Sequence, residues 1–212
     1  MSAFKSVQHY WCRLVRSHRL KHLRKQNHNH TFSLITNDCV GGVISHDLGE
    51  QFRSPTVNLW IPTDCYLEFV KDLRYYLSCE IEEVTGLPVE YPVGRLVPED
   101  DRHIPIELHF MHYHSFAEAR EKWMERRARV DYEHLYFIWH YDGEDCERIR
   151  EFDRMAIRKL LILHEPIKEI EHAAVTDCYN EDPYNGKILT IIEKTGKRYL
   201  DEIDYLTFLN GK

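Results

Sequence analysis

The sequence lacks the patterns that mark several large classes of protein. Its six cysteines include no Cys-x-x-Cys pair and no zinc-ligand spacing, so neither a structural zinc site nor a disulfide framework is predicted. No apolar run approaches the roughly 18 to 20 residues of a membrane span, and charged residues interrupt the amino terminus too often for a secretory signal. The protein is therefore expected to be cytoplasmic, either free or peripheral to the inner face of the membrane.

Acidic residues are missing from the first thirty positions, which contain seven Lys or Arg residues. The whole chain has a formal net charge of -7, so residues 31–212 carry -14 by difference. Phosphate contacts need clustered cations, and the acidic main part of the chain therefore argues against a broad nucleic-acid-binding face.

Residues 1–30 form a predicted basic amphipathic arm. Their apolar side chains recur at intervals of three and four residues, which is typical of a helix: Phe4, Val7, Trp11, Leu14 and Val15. Such a helix could lie on an anionic membrane, with Tyr10 and Trp11 as interfacial anchors. The alternative, equally compatible with the pattern, is a helix that packs on its own domain.

Residues 31–212 predict a single α/β domain, because short β-rich runs alternate with helical segments. The predicted strands are 32–36, 57–60, 104–113, 135–139 and 159–163. Helices are predicted behind Pro62 and Thr63, from the Ser115-x-x-Glu118 capping pattern, and near 145–155. Right-handed crossovers then imply a three-layer fold with a largely parallel sheet covered by helices. Turn signals at Asn185-Gly186 and Thr195-Gly196 predict a β appendage over about 165–212.

The loop Asn37 to Gly42 is the first candidate site, since it follows a predicted strand and precedes a predicted helix. Ligands gather outside the carboxyl ends of parallel strands, and Asn37, Gly41 and Gly42 could hold a phosphate at the helix amino terminus. The alternative is an ordinary tight turn capped by Asn37 or Asp38. Cys39 is a candidate nucleophile if the helix lowers the pKa of its thiol.

The segment Ile106 to His114 is the second candidate site. Read as a strand, it places Glu107 and His109 on one face, where they suit general acid or base work or one edge of a metal site. The alternative is a core histidine beside its carboxylate partner. A helix would instead pair His109 with His112 for a metal, but the flanking β-branched and aromatic residues favour a strand. No cofactor is evident, and a divalent metal stays an open expectation.

Several ordered motifs together resemble a bacterial exopolysaccharide-biosynthesis family, known as domain of unknown function 1919, from Phe32 to Leu163. They are residues 36–42, 47–49, 54–56, 91–94, 106–113, Lys122-Trp123 with Arg126-Arg127, and 151–153. The resemblance implies a role in the biosynthesis of capsular or exported polysaccharide, as a glycosyl or substituent transferase. It implies no particular mechanism. Arg126 is a candidate ligand for donor phosphates, or else a partner in exposed ion pairs on its helix.

The sequence therefore predicts a transferase that acts on a sugar or sugar-polymer precursor with a phosphate-bearing donor, using Asp38, Glu107 and His109 as acid/base groups. Two other functions stay open. One is a non-catalytic ligand-binding or assembly protein of a polysaccharide machine. The other is a hydrolase or acyltransferase that depends on Cys39.

Overall fold

The computed structural model describes residues 3–141, 146–176, 188–192 and 195–211, and the side chains from position 9 onward. Its helices and strands, in chain order, are α1 Ala3–Gln26, β1 Ser33–Thr36, α2 Val40–Leu48, α3 Thr63–Lys71, α4 Leu73–Tyr76, β2 Glu80–Val84, β3 Val93–Val97, β4 Ile106–His109, α5 Phe116–Arg127, β5 Leu135–His140, α6 Cys146–Arg154, β6 Lys159–Leu163, β7 Ala173–Val175 and α7 Tyr205–Leu209. Strands and helices thus alternate over most of the chain, as the sequence predicts.

The main sheet has the strand order β1-β5-β6-β7, and all three of its strand pairs are parallel. Alternate residues of its strands point to opposite faces. One face packs against α3, α4, α5 and α6 and contributes Ile35, Trp139 and Leu161 to the core. The other face packs against α1, α2 and α7 and contributes Leu34 and Ile138. The prediction of a helix-covered, largely parallel sheet is confirmed.

A second sheet, of order β2-β3-β4, is antiparallel throughout. The sequence reading found neither β2 nor β3, and it assigned 104–113 to one long strand of the main sheet. The observed β4 is four residues long and belongs to the second sheet. The predicted strand at 57–60 is wrong, because only Trp60 forms a bridge, with His109. The run at 57–60 is short and largely apolar, a pattern that does not by itself establish a strand.

The predicted helices after Pro62 and Ser115 are confirmed. The Ser115 side chain accepts a hydrogen bond from the Glu118 amide, as the capping pattern requires. The helix after Pro62 is divided at Asp72, whose side chain caps the start of α4. Ala119 and Trp123 are buried on one face of α5, in agreement with their predicted orientation.

Helix α1 has 24 residues and packs along the domain. Its inner side contributes Cys12 and Leu23 to the interior, and buried Arg16 forms ion pairs with Asp47 and Asp201. No helix in the described ranges is both long and apolar enough to cross a membrane.

The described part of the carboxyl-terminal region is less β-rich than the predicted appendage. Strand β7 extends the main sheet, and around the predicted Thr195-Gly196 turn the described residues form one bridge, between Ile192 and Lys197. Residues 199–202 form a short 3-10 helix instead of a strand, and α7 follows. The predicted turn at Thr195-Gly196 is present, with Gly196 at a positive φ of 68°, while Leu200 and Leu209 beyond it are buried against the sheet. The turn predicted at Asn185-Gly186 lies outside the described residues.

Candidate functional site

The side chain of Asn37 ties the carboxyl ends of β1 and β5 together. Its amide nitrogen donates to the His140 carbonyl at 2.8 Å, and its amide oxygen accepts from the His140 N–H at 2.9 Å. The side chain therefore replaces a backbone partner just beyond the paired strands. Asn37 was predicted to bind a ligand, but both of its polar groups serve this cross-strand link.

Asp38 pairs with His140, a residue that the sequence reading missed. The Asp38 Oδ2 atom lies 2.7 Å from His140 Nδ1, and Oδ1 accepts the Val40 N–H at the start of α2. His140 is fully buried. The signal available in the sequence was its place at the end of a predicted parallel strand, where polar side chains from neighbouring strands meet.

Cys39 immediately precedes α2, as predicted, but its environment opposes nucleophilic chemistry. Burial, and secondly the negative charge of Asp38, raise the pKa of the Cys39 thiol to about 12. The sulfur lies 3.9 Å from the Leu59 carbonyl oxygen. Since the thiolate is the nucleophile, this raised pKa disfavours a reactive Cys39 at neutral pH.

Gly41 and Gly42 allow α2 to approach its neighbours closely. A Cβ atom at Gly41 would lie 2.7 Å from the Thr36 Cγ2 atom, and one at Gly42 would lie 3.0 Å from Val57 Cγ1. Both glycines are buried. The Gly41 N–H donates to the Thr36 hydroxyl at 3.3 Å, and protein atoms fill the space beside both glycines, so they serve the packing of α2 on the preceding strand and on the 52–57 loop; phosphate binding here stays a prediction.

Glu107 and His109 lie together at the end of β4, as the alternation of the strand predicts. Glu107 Oε2 is 3.6 Å from His109 Nε2, and Glu107 Oε1 is 3.0 Å from an Arg95 guanidinium nitrogen on the neighbouring β3. The Glu107 side chain is 33% exposed and that of His109 is 11% exposed. A carboxylate reachable from solvent therefore sits beside a nearly buried imidazole.

Two aromatic rings flank the imidazole of His109. The ring centroids of Trp60 and His109 are 4.7 Å apart, and those of Tyr91 and His109 are 5.9 Å apart. Both aromatic residues are partly exposed. Apolar rings around a few convergent polar groups are the usual composition of a small-molecule site.

The environment of His109 favours its neutral form. Burial lowers the pKa of His109 from its ordinary value of 6.5, and the nearby Glu107 only partly opposes this shift. The Nδ1 atom is buried and has no hydrogen-bond partner within the described ranges. A buried polar atom without a partner is rare in native structures and is a feature of catalytic and binding sites.

The segment 59–61 separates the Asp38–His140 pair from the Glu107–His109 pair. Trp60 exchanges two backbone hydrogen bonds of 2.8 Å with His109, and Ile61 N–H donates to the Asn37 carbonyl at 2.7 Å. The segment 59–61 thus lies between Asn37 and His109 as an extra strand would. Their backbones are separated by two inter-strand spacings, or about 10 Å. The Asp38 carboxylate is hydrogen-bonded to His140 and Val40, so the three predicted acid/base residues belong to two separate pairs.

Arg126 lies on α5 and contacts the loop that packs on α2. Its guanidinium donates to the Tyr113 hydroxyl and, at 3.3 Å, to the Val57 carbonyl, and it lies over the Phe52 ring at 5.4 Å from the centroid. The side chain therefore holds the 52–57 loop in place. Its hydrogen bonds run to the Val57 carbonyl and the Tyr113 hydroxyl, and no salt bridge of Arg126 is found among the described residues; its role as a donor-phosphate ligand stays a prediction.

Within the part of the chain that the structure describes, no three His, Cys, Asp or Glu side chains are close enough together to hold a metal ion. Two cavities, of about 700 and 730 Å³, lie away from the carboxyl ends of the strands. The first is at the amino ends of β5 and β6, beside Leu135 and Lys159. The Glu107–His109 pair is instead reached directly from solvent through Glu107.

Comparison with known proteins gives a family match over nearly the whole chain. The model of the family described as "Domain of unknown function (DUF1919)" matches residues 12–210. An uncharacterized protein of Haemophilus influenzae is 31% identical over 192 residues, which cover 89% of this chain and 88% of that protein. The matched region includes both sheets and both carboxylate–histidine pairs.

Proposed function

The chain belongs to the family defined by the domain of unknown function DUF1919, and we propose that it is a transferase of exopolysaccharide or capsular polysaccharide biosynthesis. Its substrate is a sugar or sugar-polymer precursor, and its donor carries a phosphate group. The observation that carries this proposal is the half-open Glu107–His109 pair flanked by Trp60 and Tyr91.

Sugars present flat apolar ring faces together with many hydroxyl groups. Trp60 and Tyr91 offer partly exposed rings to such a face, and Glu107 offers a carboxylate to a hydroxyl. A surface of this composition suits a saccharide better than it suits a purely apolar ligand.

Transfer to a sugar hydroxyl needs a base for its proton. Burial lowers the pKa of His109, which favours the neutral imidazole that a base requires, and Glu107 Oε2 lies 3.6 Å from its Nε2 atom. In the proposed step the acceptor oxygen forms a bond to the transferred group while its proton passes to the Glu107–His109 pair. The bond from that group to the donor phosphate breaks, and the phosphate leaves with the electron pair.

Arg95 is the cation next to this pair. Its side chain is 43% exposed, and its guanidinium already bonds Glu107 at 3.0 Å. A guanidinium can bind carboxylate and phosphate together, so the proposal assigns donor-phosphate contact to Arg95. The Asp38–His140 pair, which is largely buried, is assigned the positioning of the strand ends below the site.

The test is a binding and turnover screen on the full chain. Nucleotide sugars and polyprenyl-phosphate sugars are titrated calorimetrically with and without Mg²⁺ or Mn²⁺, and transfer is followed with the donors that bind. Glu107→Gln is expected to retain donor binding and to lose about 10²-fold or more in kcat, the usual contribution of a general base. Glu83→Gln is the matched control, because Glu83 is an exposed carboxylate on β2 of the same sheet.

Equal kcat for Glu107→Gln and the unsubstituted chain would exclude the proposed base. Binding without turnover under every metal condition would favour the non-catalytic ligand-binding or assembly protein. Absence of binding to any phosphate-bearing sugar would overturn the proposed substrate class.

A further inference from the structure

Helix α1 has an inner side that is held to the domain by buried ion pairs. Arg16 is buried between Asp47 and Asp201, and Arg19 also pairs with Asp201, at 3.1 Å. Together with Cys12 and Leu23 these contacts fix the helix on the domain. The orientation of α1 is therefore set, and its opposite side faces solvent.

The solvent side of α1 exposes three large apolar side chains in a span of five residues. Tyr10 is 65% exposed, Trp11 is 59% exposed and Leu14 is 46% exposed. Leu14 lies one helical turn beyond Tyr10 and Trp11, so the three form one continuous patch. Trp and Tyr rings are the side chains that favour the boundary between water and a lipid bilayer.

Cations without acidic partners surround this patch. Arg13, Lys21 and Lys25 are exposed, and none of them forms an ion pair in the described ranges. Arg13 and Lys21 also line a groove of about 730 Å³ together with His9, Arg24 and His46, and among the residues that the structure describes no carboxylate side chain lines it. The solvent side of α1 is therefore both apolar and positively charged.

We propose that this outer face of α1, defined by Tyr10, Trp11, Arg13, Leu14, Lys21 and Lys25, docks on a membrane surface rich in anionic phospholipid. The apolar patch inserts among the headgroups, and the cations contact the lipid phosphates. This inference does not depend on the proposed transferase activity.

The charge distribution of the whole chain favours a bilayer over other occupants. The first thirty residues have a charge of +7 and the remainder -14, so an anionic surface attracts α1 and repels the rest of the domain. A second copy docked through the same face would bring like charges together. A nucleic-acid duplex would match the cations but offers no apolar layer to Tyr10 and Leu14.

The experiment is co-sedimentation of the full chain with two kinds of vesicle: phosphatidylcholine alone, and one part phosphatidylglycerol to three parts phosphatidylcholine. Partitioning into the anionic vesicles is expected, and it should weaken at high salt. Each cation near an anionic membrane surface contributes about fivefold to partitioning, so the triple variant Arg13→Ala, Lys21→Ala, Lys25→Ala should lose about a hundredfold. The substituted side chains are exposed, so circular dichroism and Tm should not change.

The matched control removes the same charge elsewhere, with the exposed residues Arg102, Arg154 and Lys168 replaced by Ala. This control is expected to bind anionic vesicles as tightly as the unsubstituted chain does. The pair Trp11→Ser, Leu14→Ser tests insertion separately, with an expected loss of about tenfold or more.

Four results would overturn the proposal. One is equal loss of binding in the triple variant and its control. Another is equal binding to both kinds of vesicle. Complete competition by millimolar inorganic phosphate would indicate a groove for free anions, and tighter binding to duplex DNA than to anionic vesicles would indicate a nucleic-acid surface.

Discussion

Replacement of Asp47 by alanine is expected to destabilise the protein strongly. The Asp47 side chain is 2% exposed and accepts hydrogen bonds from Arg16 and, at 2.7 Å, from Arg198. Its removal leaves Arg16, Arg19 and Arg198 around the single carboxylate of Asp201. Two guanidinium groups, those of Arg16 and Arg198, then lose a buried counter-charge.

The burial of Asp47 determines how large the loss in stability should be. Removal of one partner from a buried ion pair costs about 3 to 5 kcal/mol, because the remaining charge stays desolvated. For a chain of this size each kcal/mol corresponds to about 2 to 4 °C in Tm, so Asp47→Ala should lower Tm by about 6 to 20 °C. Helix α1 should be the first element to detach in this variant, because Arg16 and Arg19 attach it to the domain.

The assay is thermal unfolding followed by circular dichroism, with limited proteolysis in the segment after α1 as a local readout. Asp64→Ala is the matched control, since Asp64 pairs with Arg148 at 2.8 Å but is 76% exposed. An exposed pair contributes about 0 to 1 kcal/mol, which corresponds to less than about 4 °C. If both variants lower Tm equally, the buried network does not hold α1 and the reasoning fails.

Three further outcomes test the site. Gly41→Ala should cost about 1 to 3 kcal/mol in urea unfolding, because its Cβ would lie 2.7 Å from Thr36 Cγ2; unchanged stability would contradict the packing role. Cys39 should react with iodoacetamide at pH 8 far more slowly in the native than in the urea-unfolded chain, as mass spectrometry can measure, since its thiol has a pKa of about 12. The pKa of His109, followed by NMR, should lie below 6.5 and fall further in Glu107→Gln; a value above 6.5 would show that its charged form is favoured. Because folding lowers this pKa, the unfolded chain binds more protons below about pH 6.5, and His109 should contribute a loss of stability as the pH falls through that range.

The helices that could be predicted from the sequence are those with a local cap and a regular apolar period. Ser115 caps α5 through a hydrogen bond within one turn, and Trp123 is buried where its spacing places it. The strands 135–140 and 159–163 were equally readable, because both faces of a parallel strand are buried and, apart from His140 and Lys159 at their ends, their residues form continuous apolar or aromatic runs. The second sheet was missed because β2 has three glutamates in five residues, a composition that is uncommon in strands.

The candidate site also has one part that the sequence predicts and another that only the tertiary structure shows. The pairing of Glu107 with His109 was predictable, since residues two apart on a strand share a face. The aromatic residues around His109 were not, because Trp60 and Tyr91 come from segments far away in the sequence. The partner of Asp38 was missed for the same reason, as His140 lies 102 positions along the chain.

The sequence by itself determined the α/β alternation, the family resemblance and the basic amphipathic character of α1, because each of these depends on residues that are close along the chain. Only the tertiary structure decided what the loop from Asn37 to Gly42 does. In the sequence alone, its asparagine, aspartate, cysteine and glycines have the composition of an anion-binding loop. The fold uses Asn37 to join two strands, partly buries Cys39 and fills the space beside Gly41 with Thr36. Such roles depend on which distant atoms pack against the loop, and no local pattern encodes that.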